Sequence, residues 1–173
     1  MTSISKPLIL DLGCGNKKRK DAVGVDLNAS TNPDIVHNLN KFPYPFESSS
    51  VDKIIMDNTL EHLQDIIAVM EELYRIVKPG GSVKIITPYF RSVWAIIDPT
   101  HLHYFTTNSF AYYDANHIIC KRYQYTHARF NTIKIVFNEP IKSDPIKTLL
   151  RSFANKWPWF YEYRLSHFSP LTK

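Results

Sequence analysis

Three aspartates and two glycines carry the first chemical signal. Asp11 closes the apolar run Leu8-Ile9-Leu10 and is followed by Leu12, Gly13, Cys14 and Gly15. Asp26 closes Val23-Gly24-Val25, and Asp57 closes Ile54-Ile55-Met56. Glycines directly after an apolar run permit backbone dihedrals closed to other residues and let a ligand approach the main chain. A carboxylate at the end of the next run can accept hydrogen bonds from both hydroxyls of a ribose. A nucleotide-like ligand is the economical reading. The dinucleotide fingerprint G-x-G-x-x-G fails, because Lys18 stands at its third glycine position. The phosphate loop G-x-x-x-x-G-K-[ST] is absent as well. With no cradle for a pyrophosphate, the expected ligand is an adenosine compound lacking phosphates.

Cys14 sits within the glycine turn, yet no histidine or second cysteine is spaced to activate it, so it is read as chosen for size. The histidines His62, His101 and His103 are candidates for a general base or for positioning an acceptor, with Asp98 close by in sequence. Asp98, His101 and His103 also raise a metal question, since imidazole and carboxylate ligate zinc or iron. A fourth ligand is not evident, and no metal is expected. His37, His117, His127 and His167 are scattered and read as surface or packing residues. The densest cationic cluster is Lys17-Lys18-Arg19-Lys20. A solvated loop is its ordinary reading; contact with an anionic substrate group is the alternative.

The elements that must position these residues follow from hydrophobic pattern. Val/Ile/Leu runs alternate with helical periodicity, as in a buried parallel sheet. Strands are expected at 8–10, 22–25, 35–36, 51–56 and 83–86. A helix is expected between the last two, on a stripe of Leu63, Ile66, Ile67, Met70, Leu73, Tyr74 and Val77. Arg75 and Lys78 fall in its last turn, and Pro79-Gly80-Gly81 stops it and returns the chain to a strand. Asp26 follows Gly15 by eleven residues, too few for a full crossover helix, so 17–20 are expected as a loop or a single turn. Beyond Pro88 the stretch PYFRSVWAIIDPTHLHYFT is too long and irregular for a plain connection. A short helix is expected over 108–113 and another over 145–157. Two strands, or one irregular one, are expected within 123–137. An aromatic tail, WPWFYEYRLSHF, closes the chain.

Composition bounds the rest. The chain has 173 residues, 44% hydrophobic and 21% charged, which suits one packed domain and excludes a disordered chain. No apolar run reaches the roughly 20 residues of a membrane span, and the start does not resemble a signal peptide. Two cysteines do not make a disulfide framework, so a cytoplasmic, reducing setting is expected. A net charge of +5 permits an anionic partner without demanding one. The tail aromatics are expected to dock on the domain; peripheral membrane or partner contact through them is the alternative.

Four segments in order resemble class I methyltransferases that use S-adenosylmethionine: LILDLGCGNKK, GVDLN, VDKIIMDNTLEHL and RIVKPGGSVKIITP. Together they span Leu8 to Pro88. The stretch DPTHLHYFT also resembles a loop of small bacterial and archaeal methyltransferases of unassigned substrate. The resemblance implies a Rossmann-like, doubly wound α/β fold with a mostly parallel sheet of six or seven strands, a shortened first crossover and a helical aromatic tail. It implies one domain over 1–173, with a cofactor half at 1–88 and an acceptor-loop and C-terminal half at 89–173. The implied cofactor is S-adenosyl-L-methionine, leaving as S-adenosyl-L-homocysteine. Asp11, Gly13, Cys14 and Gly15 are implied at its methionine end. Asp26 is implied at the ribose, and Leu27, Asn38 and Leu39 at the adenine. Asp57 and Asn58 are implied beside the methionine ammonium, and Leu60, which opens the following helix, is implied among the cofactor-binding residues. The expected acceptor is a small molecule or glycan. A nucleic acid is less favoured, because Asp57-Asn58-Thr59 does not match the N/D-P-P-Y/F motif used for base amines. A non-catalytic cofactor-binding regulator is the third reading.

Overall fold

The computed structural model describes residues 6–137 and 145–165. The chain divides into two compact units, one of residues up to Thr87 together with Tyr125–Ala128, the other of Pro88–Gln124 and the residues from Arg129 onward.

The first unit is built on a five-stranded sheet, all parallel, in the order β3-β2-β1-β4-β5. The strands are β1 (Ile9–Leu12), β2 (Val23–Asp26), β3 (Ile35–Val36), β4 (Val51–Asp57) and β5 (Val77–Ile86). Leu10, Leu12, Val25, Ile54 and Met56 are fully buried and form the centre of its core. Strand order reverses between β1 and β4, which opens a crevice at their carboxyl ends. Asp11 and Leu12, Asp26, and Asp57 fall at those ends.

The connections differ from one another. Between β1 and β2 there is only a single 3₁₀ turn, Gly15–Lys17, so the shortened crossover is present. Between β4 and β5 runs α1 (Ile66–Ile76), capped by Asp65, whose side chain accepts from the Ala68 N–H at 2.9 Å. It is preceded by the 3₁₀ turn Leu60–His62. Val69, Met70, Leu73 and Ile76 are buried, whereas Ile67 and Tyr74 of the expected stripe face solvent. The stripe is therefore rotated toward Val69 and Ile76. The helix also stops earlier than the Pro-Gly-Gly signal suggests. Val77 already pairs with Val51, and Lys78 to Gly81 form a bulge before Ser82 pairs with Lys53. Lys78 lies in that bulge and not in the last helical turn; its Nζ reaches Asp52 at 2.8 and 2.9 Å.

Glu72 is a buried carboxylate on α1. It accepts from the Tyr44 N–H at 2.7 Å and from the Arg75 guanidinium, which also donates to the Tyr44 carbonyl at 3.2 Å. This pins the segment between β3 and β4 against the helix. The Tyr44 hydroxyl donates to the Leu39 carbonyl at 2.9 Å, and burial pushes its pKa well up.

Six or seven strands were expected; among the described residues the sheet has five. The expected strands within 123–137 are irregular chain. Several of their backbone N–H groups are engaged outside any ladder: that of His127 donates to Glu71 at 3.4 Å, that of Ala128 to the Thr126 hydroxyl at 3.1 Å and that of Phe130 to the Tyr113 carbonyl at 2.8 Å. The Thr126 hydroxyl donates to Glu71 at 2.8 Å, and His127 Nδ1 lies 3.1 Å from the same carboxylate, which anchors 125–128 in the first unit.

In the second unit the Phe137 N–H donates to Asn155 Oδ1 at 2.6 Å on α4 (Pro145–Lys156). That unit also holds the short helices α2 (Val93–Ile97) and α3 (Ile118–Tyr123), and a 3₁₀ turn at Ser109–Tyr112. Isolated bridges join Tyr89 to Phe105 and Asp114 to Phe130. The tail docks through Tyr161, which is buried edge-on against Phe137, and through Glu162, which accepts from the Thr107 N–H at 2.8 Å. Trp157, Trp159, Phe160 and Tyr163 remain exposed. His167 and Phe168 lie outside the described residues. Among the described residues no helix is long and apolar enough to cross a membrane.

Candidate functional site

The glycine turn is fastened to the end of β2. The N–H groups of Gly13 and Cys14 both donate to the Val25 carbonyl, at 2.8 and 3.2 Å. One residue further on, Asp26 turns its carboxylate back to the turn. Its Oδ2 accepts from the Gly15 N–H at 2.8 Å, and its Oδ1 accepts from the Asn28 N–H at 2.8 Å. Each carboxylate oxygen carries two lone-pair sites, so a pair of vicinal hydroxyls can still be accepted. Two backbone bonds thus fix the orientation of this carboxylate.

Gly13 has φ of +74°, and a Cβ there would lie 2.3 Å from Thr59 Oγ1 and 2.4 Å from Thr59 Cγ2. Thr59 is buried and donates to the Leu12 carbonyl at 3.2 Å. It therefore closes the turn from the β4 side, and no side chain other than hydrogen fits. Gly15, with φ of +49°, is the opposite case: a Cβ there would meet nothing within 4 Å. One glycine is required by close packing inside the protein, the other stands before open space where a ligand can lie.

Cys14 is buried, and burial together with the Asp26 and Asp11 carboxylates pushes its thiol pKa up. A thiolate is disfavoured there, which fits a packing residue. Asp11 is buried and accepts from the Arg19 N–H at 3.0 Å. Asp57 is half-buried; it accepts from Arg19 Nη2 at 2.8 Å and from Asn58 Nδ2 at 2.9 Å. Asn58 is exposed and has φ of +51°. Leu27 presents an exposed apolar side chain next to Asp26. Asn38 Oδ1 accepts from the Asn40 N–H at 2.9 Å. Leu39 and Leu60 point into the core and support the rim from beneath.

His62 lies in the 3₁₀ turn after β4, its N–H donating to the Thr59 carbonyl at 3.1 Å. Its neighbour Glu61 is fully buried. His101 and His103 belong to the second unit. There His101 Nδ1 is 3.0 Å from the Ala95 carbonyl, and its Nε2 is 3.9 Å from Asp98. The buried His103 Nε2 has no hydrogen-bond partner among the described residues.

Two roles were invisible in the sequence. Lys18 lies across the sheet, its stem 2.5–2.7 Å from where a Gly24 Cβ would be, and its Nζ bonds Asp34 at 2.8 Å. Asp34 in turn accepts from the Gly24 N–H at 2.7 Å and is held below the usual carboxylate range by the Lys18 hydrogen bond. Arg19 joins Asp11 to Asp57. Half of the basic cluster is thus internal wiring. The shortness of the loop was the available signal: with no helix to cover β1 and β2, something else had to.

Residues 10–85 match the methyltransferase domain family. A 40% identity over 50 residues links the chain to a demethylmenaquinone methyltransferase of Oceanobacillus iheyensis, covering 29% of this chain and 21% of that protein. A methyltransferase structure from Archaeoglobus fulgidus, described as dependent on S-adenosylmethionine, is 20% identical and superposes with a TM-score of 0.51, covering 58% of this chain and 55% of that one. A chain in the complex between the Haloferax volcanii Trm112 methyltransferase activator and a methyltransferase is 21% identical with a TM-score of 0.49, covering 61% and 57%. The chain thus spans about a fifth of the curated relative and little more than half of each solved structure.

Proposed function

We propose that the chain, whose residues 10–85 match the methyltransferase domain family, is a class I S-adenosylmethionine-dependent methyltransferase that transfers a methyl group to a small-molecule or glycan-like acceptor. The observation that carries the reading is Asp26. Its carboxylate is aimed by the Gly15 and Asn28 N–H groups at the carboxyl end of β2, beside the open face of Gly15. That acceptor fits the hydroxyls of a ribose in a ligand with no phosphates, and so it fits the adenosyl cofactor.

When bound, S-adenosylmethionine supplies a methyl group activated on a sulfonium; the protein supplies alignment and exclusion of water. Asp26 would hold the ribose and the exposed Leu27 side chain would lie against the adenine. The Asn38 amide would meet the adenine edge, and the turn from Gly13 to Gly15 would bound the methionine end. Asp57 and Asn58 would face the ammonium. Cys14 stays a thiol throughout. A general base is needed only if the acceptor loses its proton during attack, and His62, His101 and His103 are the candidates for it. A cytoplasmic location belongs to the same reading.

Nucleic acid is disfavoured as acceptor because Lys18 and Arg19 pair with carboxylates of the same unit, which leaves only Lys17 and Lys20 of the cluster without an ion pair among the described residues. The test is a screen of metabolites, glycans and RNA for release of S-adenosylhomocysteine. Turnover on a small acceptor, lost in Asp26→Ala, is expected. Turnover on RNA alone would replace this acceptor class.

A further inference from the structure

We infer that Arg19 is a cofactor-binding residue: its guanidinium, held between Asp11 and Asp57, receives the α-carboxylate of the adenosyl amino acid. The inference rests on the reading of the rim as an S-adenosylmethionine site and assigns one further group within it.

The geometry is specific. The Arg19 backbone N–H donates to Asp11 Oδ2 at 3.0 Å, while Nε stands 3.7 Å from Asp11 Oδ1. Nη2 donates to Asp57 Oδ2 at 2.8 Å. Both acids end strands on either side of the switch between β1 and β4, so the guanidinium spans the crevice mouth. A guanidinium has five donors in a rigid fork. Nη1 has no partner among the described residues, and the side chain is 42% exposed. An open donor edge is therefore presented at the mouth by a side chain already anchored from two directions. Anchoring lowers the entropy lost when a carboxylate docks on it.

Charge points the same way. Two carboxylates and one guanidinium leave one negative charge unbalanced. An amino-acid end carries an ammonium and a carboxylate, and this trio can complement both at once: a surplus carboxylate oxygen for the ammonium, the guanidinium for the carboxylate. A carboxylate bound here without a cation would face Asp11 and Asp57 directly. Lys18 cannot serve instead, because it is turned to Asp34. The helix that would ordinarily follow β1 is missing, and the short loop is what brings residue 19 back over the strand ends.

The experiment compares two ligands by calorimetry on the full chain: S-adenosylhomocysteine, and its decarboxylated counterpart, which keeps the adenosine, thioether and ammonium. Arg19→Ala is expected to weaken S-adenosylhomocysteine by about 10- to 100-fold, the range for losing a hydrogen-bonded ion pair. It should leave the decarboxylated ligand within about threefold of wild type, since the adenosine contacts are untouched. Arg19→Lys should restore part of the loss, and Lys17→Ala should change neither ligand, which separates the effect from overall charge. Equal weakening of both ligands by Arg19→Ala and Arg19→Lys would mean that Arg19 only shapes the loop, and would overturn the inference. Tighter binding of S-adenosylhomocysteine to Arg19→Ala would make Arg19 a competitor for the ammonium site, and would overturn it too. If wild type binds neither ligand, the cofactor reading itself falls and this inference with it.

Discussion

The two crossovers of the first unit solve one problem in different ways. Between β4 and β5 the chain lays down α1, which covers the sheet with buried Val69, Met70, Leu73 and Ile76. Between β1 and β2 there is no room for a helix, and the covering is done by charged side chains: Lys18 stretched over Gly24 to Asp34, Arg19 tied to Asp11 and Asp57. An apolar stripe is non-directional and gains free energy with area. Ion pairs are directional, screened by salt and modest when exposed. A crossover of the second kind contributes less to stability, but it leaves charged groups at the mouth of the crevice, where a polar ligand can use them. One crossover contributes mainly apolar burial, the other mainly charged groups at the strand ends.

Breaking the apolar crossover should have the largest effect on stability. Leu73→Ala removes a fully buried side chain and should destabilise by about 2–5 kcal/mol in urea unfolding, with cofactor affinity unchanged while the chain is folded. A loss below 1 kcal/mol would mean that α1 is not the main cover of the sheet. Next comes the turn where the two kinds of construction meet. Gly13→Ala places a Cβ in the left-handed region against Thr59 and should destabilise by about 2–4 kcal/mol, and it should also weaken S-adenosylhomocysteine, because the turn itself must shift. Stability lost with binding intact would show that the turn does not bound the ligand.

The charged crossover should give the smallest stability effect and the one most sensitive to conditions. Asp34 has its pKa lowered by the Lys18 hydrogen bond and the Gly24 N–H from an ordinary value of 3.8. A carboxylate with a depressed folded pKa contributes stability that is complete above its unfolded pKa and is lost as pH falls through the folded one. The difference in unfolding midpoint between wild type and Asp34→Asn should therefore be constant from neutral pH down to about 5 and shrink below about 4. It should also narrow at high salt. A difference that persists at low pH would mean that Asp34 acts through its hydrogen-bonding shape and not its charge.

The same contrast explains what could be read from the sequence. The strand ends and the glycine turn were legible, because Gly13, Gly15, Asp26 and Asp57 are set by local chemistry at short spacing. Helix α1 was legible as an element, yet its buried face was misjudged. Ile67 and Tyr74 have the right periodicity for the stripe, but entry into β5 directly at Val77 fixes the rotation that buries Val69 and Ile76. The roles of Lys18 and Arg19 were hidden. Their partners Asp34 and Asp57 lie 16 and 38 residues away, and nothing local distinguishes a tether from a solvated lysine. The expected strands within 123–137 failed for a related reason: the N–H groups of His127 and Phe137 donate to the side chains of Glu71 and Asn155, partners that no alternation pattern reveals.

On the proposed function, the rim between β1 and β2 grips an adenosyl ligand through one carboxylate, that of Asp26. Thermal unfolding with and without saturating S-adenosylhomocysteine, on wild type and on Asp26→Ala, tests it most directly. At about 100 times Kd a ligand bound only by the native state adds about 2.7 kcal/mol, so the wild-type midpoint should rise clearly and that of Asp26→Ala should stay near its unliganded value. A wild-type midpoint unmoved by the ligand, or an equal rise in both proteins, would contradict the account.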